Sequence, residues 1–307
     1  MTTIHFAICA DRNMEIGLHV TLHSAMSALN LGSEAVAHLF LKDFDTKRVH
    51  ALHSTLQEFG RRCRVITYDA AKIDVGKGKG FHGNKMPYVL FQIPHLVNAE
   101  RVLCLDADLL IATDLTDLFQ WDLAGEAIGM VCRLEVKRCW SRERDFLLSV
   151  GVSDEAAYFN TGVVLIDVKE WERRDLTNKC LDFAALHAPQ LHTADQTVLN
   201  AVLRDRVVLL PGKYNIPHHP TRSALELPSA NGIHHFVGSP KPWDFMGEFL
   251  HISYPAFHRH LALTHYKNYK SFKNLSAPQC VRAMRISHFY YKTIKARLRN
   301  CWKVTDH

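Results

Sequence analysis

Asp106 and Asp108 stand one residue apart in an apolar run, Val102-Leu103-Cys104-Leu105-Asp106-Ala107-Asp108-Leu109-Leu110-Ile111. A short apolar stretch of this kind reads as a core strand. Ionised carboxylates are expensive to bury unless they are paired or bound to a metal. Along an extended chain both acids point to one side and Ala107 to the other. One hard divalent cation suits that arrangement, because such ions take one or two carboxylates while phosphate oxygens complete the shell. Taken alone, the pair reads as a strand end with two solvated aspartates. Three other segments change the balance.

In residues 158–167 a small polar turn, Asn160-Thr161-Gly162, enters an apolar strand. In open α/β sheets such strand ends line the ligand crevice. In residues 193–200, Asp195 either caps a helix or joins Gln196 in gripping sugar hydroxyls. In residues 233–243, His235 offers a neutral imidazole ligand, Gly238 allows close backbone approach, and Lys241 offers a charge to phosphate. Pro240 and Pro242 stiffen that loop.

The elements that must carry these residues follow from periodicity. Residues 4–10 read as a first strand, 19–31 as a helix, 35–41 as a strand, 45–60 as an amphipathic helix and 64–68 as a third strand. This rhythm indicates a parallel sheet with helices on both faces. Gly76-Lys77-Gly78-Lys79-Gly80 lacks the Walker pattern and reads as a surface loop. Residues 87–97 read as a helix kinked or ended at Pro94, 127–132 as a strand, and 133–144 as an irregular charged stretch. Residues 161–168 and 207–210 read as strands, with helices from about 169 and over 196–203.

The 307 residues suffice for one large α/β domain or two smaller ones, and 47% apolar content excludes global disorder. Eight scattered cysteines without a Cys-x-x-Cys pair indicate reduced thiols, neither a zinc site nor a disulfide framework. The start lacks a signal-peptide pattern, and no apolar run is long enough to span a bilayer. The expectation is a cytoplasmic protein, peripheral at the inner face of a membrane.

In order and spacing, residues 103–108, 159–163, 194–196 and 235–243 resemble the motifs of glycosyltransferase family 8, which includes bacterial lipopolysaccharide α-galactosyl- and α-glucosyltransferases. The resemblance runs from about Ile4 to Trp243. It implies an α/β fold of the GT-A, Rossmann-like nucleotide-sugar type with a central mixed, mostly parallel sheet. It also implies Mn²⁺, with Mg²⁺ as a substitute, and retention of anomeric configuration. Carried over by motif, Asp106, Asp108 and His235 match metal ligands, with Ala107 between them in the donor site. Gly238 and Lys241 match the loop over the diphosphate, and Ala10, Asp11 and Asn13 match uridine contacts. Asn160, Asp195 and Gln196 match residues around the donor sugar, Gln196 lying beneath the reacting carbon.

This chain departs from the pattern in three places. Met14 replaces a tyrosine that stacks on uracil. The arginine before the Asp-x-Asp strand falls near Val89–Leu90, leaving Lys85 as the nearest basic substitute. An acid near Arg133–Leu134 is missing, with Glu135 one step off.

The implied reaction is hexose transfer, of galactose or glucose, from a UDP-sugar to a cell-surface glycan or glycolipid such as lipopolysaccharide. Only Asp195 and the Gln196 amide lie in the region matched to the reacting sugar. Attack on the donor's own face, without a covalent intermediate, is therefore more natural than a glycosyl-enzyme. Two alternatives stay open: a nucleotide-sugar hydrolase or nucleotidyltransferase on the same fold, and a non-catalytic glycan- or membrane-binding module.

The domain is expected over 1–250, with 251–307 a basic, aromatic and helical extension. Between Arg282 and Lys303 stand seven Lys or Arg and no Asp or Glu, interleaved with Phe289, Tyr290, Tyr291 and Trp302. Such faces lie on anionic bilayers. Nucleic acid would also attract the charge, but a membrane is the expected partner.

Overall fold

The computed structural model describes residues 2–76, 85–220, 231–273 and 277–304. The loop expected at Gly76–Gly80 falls, from Lys77 on, outside the described residues, as does the side chain of Trp302.

Strict alternation shapes the first strand, β1 (Thr2–Asp11). Ile4, Phe6, Ile8 and Ala10 enter one core cluster, and Ala7 enters a second on the other face. It pairs in parallel with β2 (Ser33–Lys42), which pairs in parallel with β3 (Cys63–Asp69). On its other side β1 pairs with β4 (Arg101–Leu105). Next come β5 (Leu109–Ile111), β6 (Ile128–Glu135), β7 (Ala157–Asp167) and β8 (Val208–Leu210). The last two strands are β9 (Ile216–Pro217) and β10 (Ile233–His235). The main sheet runs β3-β2-β1-β4-β7-β6-β8, and β7 is antiparallel to both neighbours. A small sheet, β5-β10-β9, stands beside it.

The run expected as one strand over 102–111 is therefore two. The chain leaves the main sheet after Leu105 and joins the small one at Leu109. Residues 133–144 are not irregular either: β6 continues to Glu135, and a helix spans Ser141–Ser149. Its buried face carries Glu143, Phe146 and Leu147, a helical spacing that an acid in the apolar stripe obscured. Residues 86–92 form a 3₁₀ helix, and Pro94 sits in the first turn of a short helix (Ile93–Leu96) where it needs no amide partner.

The helix Glu15–Ala28 is buried from Glu15 through Met26 because it is covered on both sides. Leu18 and Leu22 pack on the sheet, while Ile16 and Val20 meet Phe257 and Leu261 of the helix Tyr254–Leu261. Two further helices follow, Ala277–Arg285 and Ser287–Val304. Among the described residues no helix is long and apolar enough to cross a membrane. The seven described cysteines are free.

Three buried histidines make the fold acid-sensitive. Burial depresses His19 and His251 to about 3 and His38 to about 4, from an ordinary value of 6.5. Below 6.5 the unfolded chain takes protons that the folded chain refuses, so stability falls with pH until those lower values are reached. Each histidine contributes up to about 1.4 kcal/mol per pH unit in that window. Asp195, raised to about 6 by burial, binds its proton with the opposite sign, so the melting temperature should drop moderately between about pH 7 and about pH 5. A Tm flat across that interval would contradict the neutral burial of these rings.

Candidate active site

The two aspartates sit where the chain changes sheets, and hydrogen bonds hold both flanks. The Asp106 N–H donates to Gly162 O at 2.9 Å, and the Phe236 N–H donates to Asp108 O at 3.0 Å. Thr21, from the buried helix, donates its hydroxyl to Leu109 O and accepts from Leu109 N, both at 3.0 Å. Gly17 lets that helix come close, since a Cβ there would lie 2.5 Å from Ala107 O and overlap Trp243.

β10 brings His235 to the same point. Its Nε2 lies 3.5 Å from Asp106 Oδ2 and 3.3 Å from Asp108 Oδ1. One ligand atom from each of the three residues falls within 4.8 Å of the others. Lys241 donates to Asp108 Oδ2 at 2.5 Å and also to Phe236 O. Gly162 makes room for the imidazole, because a Cβ there would stand 2.5 Å from His235 Nδ1.

The carboxylates are unequal. The Asp106 side chain is 49% exposed and that of Asp108 only 7%. Burial raises the Asp108 carboxyl, but Lys241 and His235 outweigh it and hold the group below the usual range. Loss of surrounding water, then the Asp108 and Asp195 charges, push Asp106 upward, with His235 and Lys241 opposing. Burial also pushes Asp195 up to about 6, against the Thr161 hydroxyl and the Gln196 amide it accepts from.

One backbone amide orients a chain of side chains. The Gly162 N–H donates to Asn160 Oδ1 at 3.0 Å, which identifies that atom as oxygen. Asn215 Nδ2 then donates to the same oxygen at 2.7 Å, so Asn215 Oδ1 must accept from His235 Nδ1–H at 3.0 Å. With Nδ1 engaged by Asn215, Nε2 is the ring nitrogen turned toward the two carboxylates. Asp108 Oδ1 is buried and has no hydrogen-bond donor. Nε2 and one oxygen from each carboxylate converge within 4.8 Å, and once Nε2 is unprotonated that donor set fits a divalent cation.

In the other direction Asn160 Nδ2 donates to Gln196 Oε1, and Gln196 Nε2 donates to the Tyr158 hydroxyl, both at 2.7 Å. Tyr158 donates to Glu143 Oε1 at 2.9 Å. Asp195 opens the helix Asp195–Leu203 immediately after Ala194, whose φ of 46° is costly for a residue with a Cβ.

The remaining sequence candidates lie around this cluster. Ala10 and Asp11 end β1, Asp11 accepts from the Asn13 N–H, and Trp243 Nε1 donates to Asn13 O at 3.1 Å. A cavity of about 410 Å³ opens there, lined in part by Arg12, Asn13, Trp243, Tyr269, Gln279 and Arg282. Gly238 adopts φ 78° in the loop that carries Lys241. Lys85 is exposed and donates to Gly76 O at 2.8 Å; among the described residues no recorded contact joins it to the aspartates.

Four participants carry no motif. Asn215 and Glu143 enter only through tertiary contacts, although the helical spacing of Glu143 with Phe146 and Leu147 hinted at burial. Asp244 accepts from the Lys241 N–H at 2.8 Å and from Arg282 at 2.6 and 2.9 Å. The C-terminal segment is thereby tied to the lysine loop.

The model of the family Glycosyl transferase family 8 matches residues 5–247. General stress protein A of Bacillus subtilis is 27% identical over 260 residues, covering 78% of this chain and 87% of its own. Glycosyltransferase GlyF of Streptococcus pneumoniae is 28% identical over 203 residues, and the chain spans less than half of it, 46%. That match covers 60% of this chain. Lipopolysaccharide glucosyltransferase WaaO of Escherichia coli is 22% identical over 252 residues, 78% of this chain and 72% of the relative. Among solved structures, the galactosyltransferase LgtC, in complex with donor and acceptor sugar analogs, superposes with a TM-score of 0.67. Its identity is 22%, with 86% of this chain and 96% of that one covered, a likeness of fold. The family model covers all four motifs and the β-strands that bring them together, and the chain belongs to glycosyltransferase family 8.

Proposed function

We propose that this protein is a retaining hexosyltransferase that moves galactose or glucose from a UDP-sugar to a cell-surface glycan such as lipopolysaccharide. The observation that carries this reading is the convergence of Asp106, Asp108 and His235, with Asp108 Oδ1 buried and undonated. These three would hold Mn²⁺ or Mg²⁺. When bound there, a divalent cation acts as a Lewis acid on the diphosphate whose charge grows as it departs. Lys241 adds a second positive charge from the stiffened loop and holds it ready on Asp108. Gln196 and Asp195 take the positive charge that develops at the sugar. Ala10, Asp11 and Asn13, at the end of β1, bind the nucleoside beside the cavity, and Gly238 lets the loop backbone approach the diphosphate. Release of UDP from a panel of UDP-sugars, with Mn²⁺, with Mg²⁺ and with chelator, tests the reading. Metal-independent release, or none from any UDP-hexose, would overturn it.

The same reading places the protein at the cytoplasmic face of a membrane, where a lipid-borne acceptor is presented. Phe289, Tyr291, Ile294 and Leu298 are exposed on the last helix, with Lys292 and Lys295 beside the rings of Phe289 and Tyr291. Arg282 is taken by Asp244, and Tyr290 donates to Phe245 O, so these two hold the segment to the body. Each outward cation contributes about 1 kcal/mol toward anionic lipid. Lys292→Glu with Lys295→Glu should abolish low-salt co-sedimentation with phosphatidylglycerol vesicles while leaving UDP release unchanged. Equal partitioning of variant and parent would remove the membrane role.

A further inference from the structure

Glu143 is fully buried, and among the described residues it forms no salt bridge; burial raises its carboxyl, against its hydroxyl donors and the His192 imidazole nearby. Its recorded partners are hydroxyls: Tyr158 at 2.9 Å, Thr197 at 2.9 and 3.2 Å, and Thr193 at 3.4 Å. A carboxylate in such a place is a poor source of stability, and neutral or apolar replacements for buried charges are often tolerated or stabilising. What it does supply is direction. A phenol can accept from Gln196 only while its own proton points elsewhere, and the Glu143 carboxylate at 2.9 Å is the nearer acceptor for it, Thr193 Oγ1 lying at 3.3 Å.

We propose that Glu143 is a positioning residue of the transfer reaction, acting through Tyr158 to hold the Gln196 carboxamide in one orientation. With Tyr158 accepting from Nε2 and Asn160 donating to Oε1, the remaining lone pair of Oε1 is left for the sugar. Burial and the Glu143 charge keep the Tyr158 hydroxyl well above the usual phenol range, so it stays a donor to Glu143. A glutamine at 143 can donate to the Tyr158 oxygen. The phenol proton can then turn to Gln196, which leaves Asn160 Nδ2 alone to oppose the flipped amide, the form that presents N–H groups where positive charge develops. This inference rests on the transferase reading above and adds Glu143, which no motif contains.

The test is a cycle of Glu143→Gln, Tyr158→Phe and the double variant. Each single change should lower kcat about tenfold, the worth of one oriented charged hydrogen bond, with donor KM within about twofold. The double variant should be no worse than either alone, because both break one chain. The Tm of Glu143→Gln should be unchanged or higher. Multiplying losses, a KM that rises as kcat falls, or a lower Tm with kcat intact would make Glu143 merely structural.

A second readout needs no turnover, and so separates failure of this inference from failure of the transferase reading. The side-chain NH₂ resonances of Gln196, assigned by their loss in Gln196→Glu, should exchange with water about tenfold faster in both single variants. Unchanged exchange would overturn the proposal whatever the enzyme transfers.

Discussion

Asp106→Asn and Asp108→Asn are both expected to cut sugar transfer at least about 100-fold, while only the second lowers stability. Each removes an ionised ligand from the cluster. Half of the Asp106 side chain is exposed, so its neutralisation leaves no buried charge alone. Asp108 is different: its side chain is 7% exposed and holds Lys241, itself only 12% exposed. Removing one partner of such a buried pair costs about 3 kcal/mol, because the other charge remains without compensation. Turnover and thermal melts of the two variants, taken in metal-free buffer for the melts, separate the effects. Wild-type turnover in both variants would defeat the metal assignment. Equal Tm loss in both would show that the ion pair with Lys241 is not what distinguishes them.

Gly162→Ala should disable the site without touching any ligand. The new methyl would stand 2.5 Å from His235 Nδ1, well inside van der Waals contact, and Asn160 Oδ1 would be crowded as well. The ring is pinned by Asn215 and cannot retreat without losing that bond. Either the imidazole swings away from the carboxylates or β7 shifts and takes the Asp106 amide with it. Both outcomes break the cluster, so turnover should fall about 100-fold or more. Calorimetric titration of UDP with and without Mn²⁺ checks the cause. Metal should tighten UDP in the parent and not in the variant. Combining Gly162→Ala with His235→Ala should cost no more than His235→Ala alone, since both act through one ring. Metal-dependent UDP binding that survives in Gly162→Ala would show that the ring does not need this space.

Much of the architecture is legible in the sequence. β1 and β3 announce themselves through alternation or β-branched content and β2 through its short apolar run, and the four motifs hold their chemistry within a few residues each. The Asp-x-Asp strand misled because β4 and β5, five and three residues long, form one apolar run; only their pairing with β7 and β10 divides it. The helix Ser141–Ser149 was hidden because its inward stripe begins with an acid, which a sequence pattern counts as solvent-facing. The C-terminal segment shows as seven unopposed cations in sequence, yet Arg282 meets Asp244 from 38 residues away.

By itself, then, the sequence determined the family, the alternating α/β order and the residue types available for chemistry, because those depend on local spacing. The tertiary structure alone decided the tautomer of His235, the orientation of Gln196 and the unequal burial of Asp106 and Asp108. Each depends on partners at least 20 residues apart, among them Asn215 with His235, Asn160 with Asn215, Tyr158 with Gln196 and Lys241 with Asp108. A hydrogen bond's direction is set by what lies at the far end of its chain, and packing chooses that neighbour after the local pattern has been satisfied.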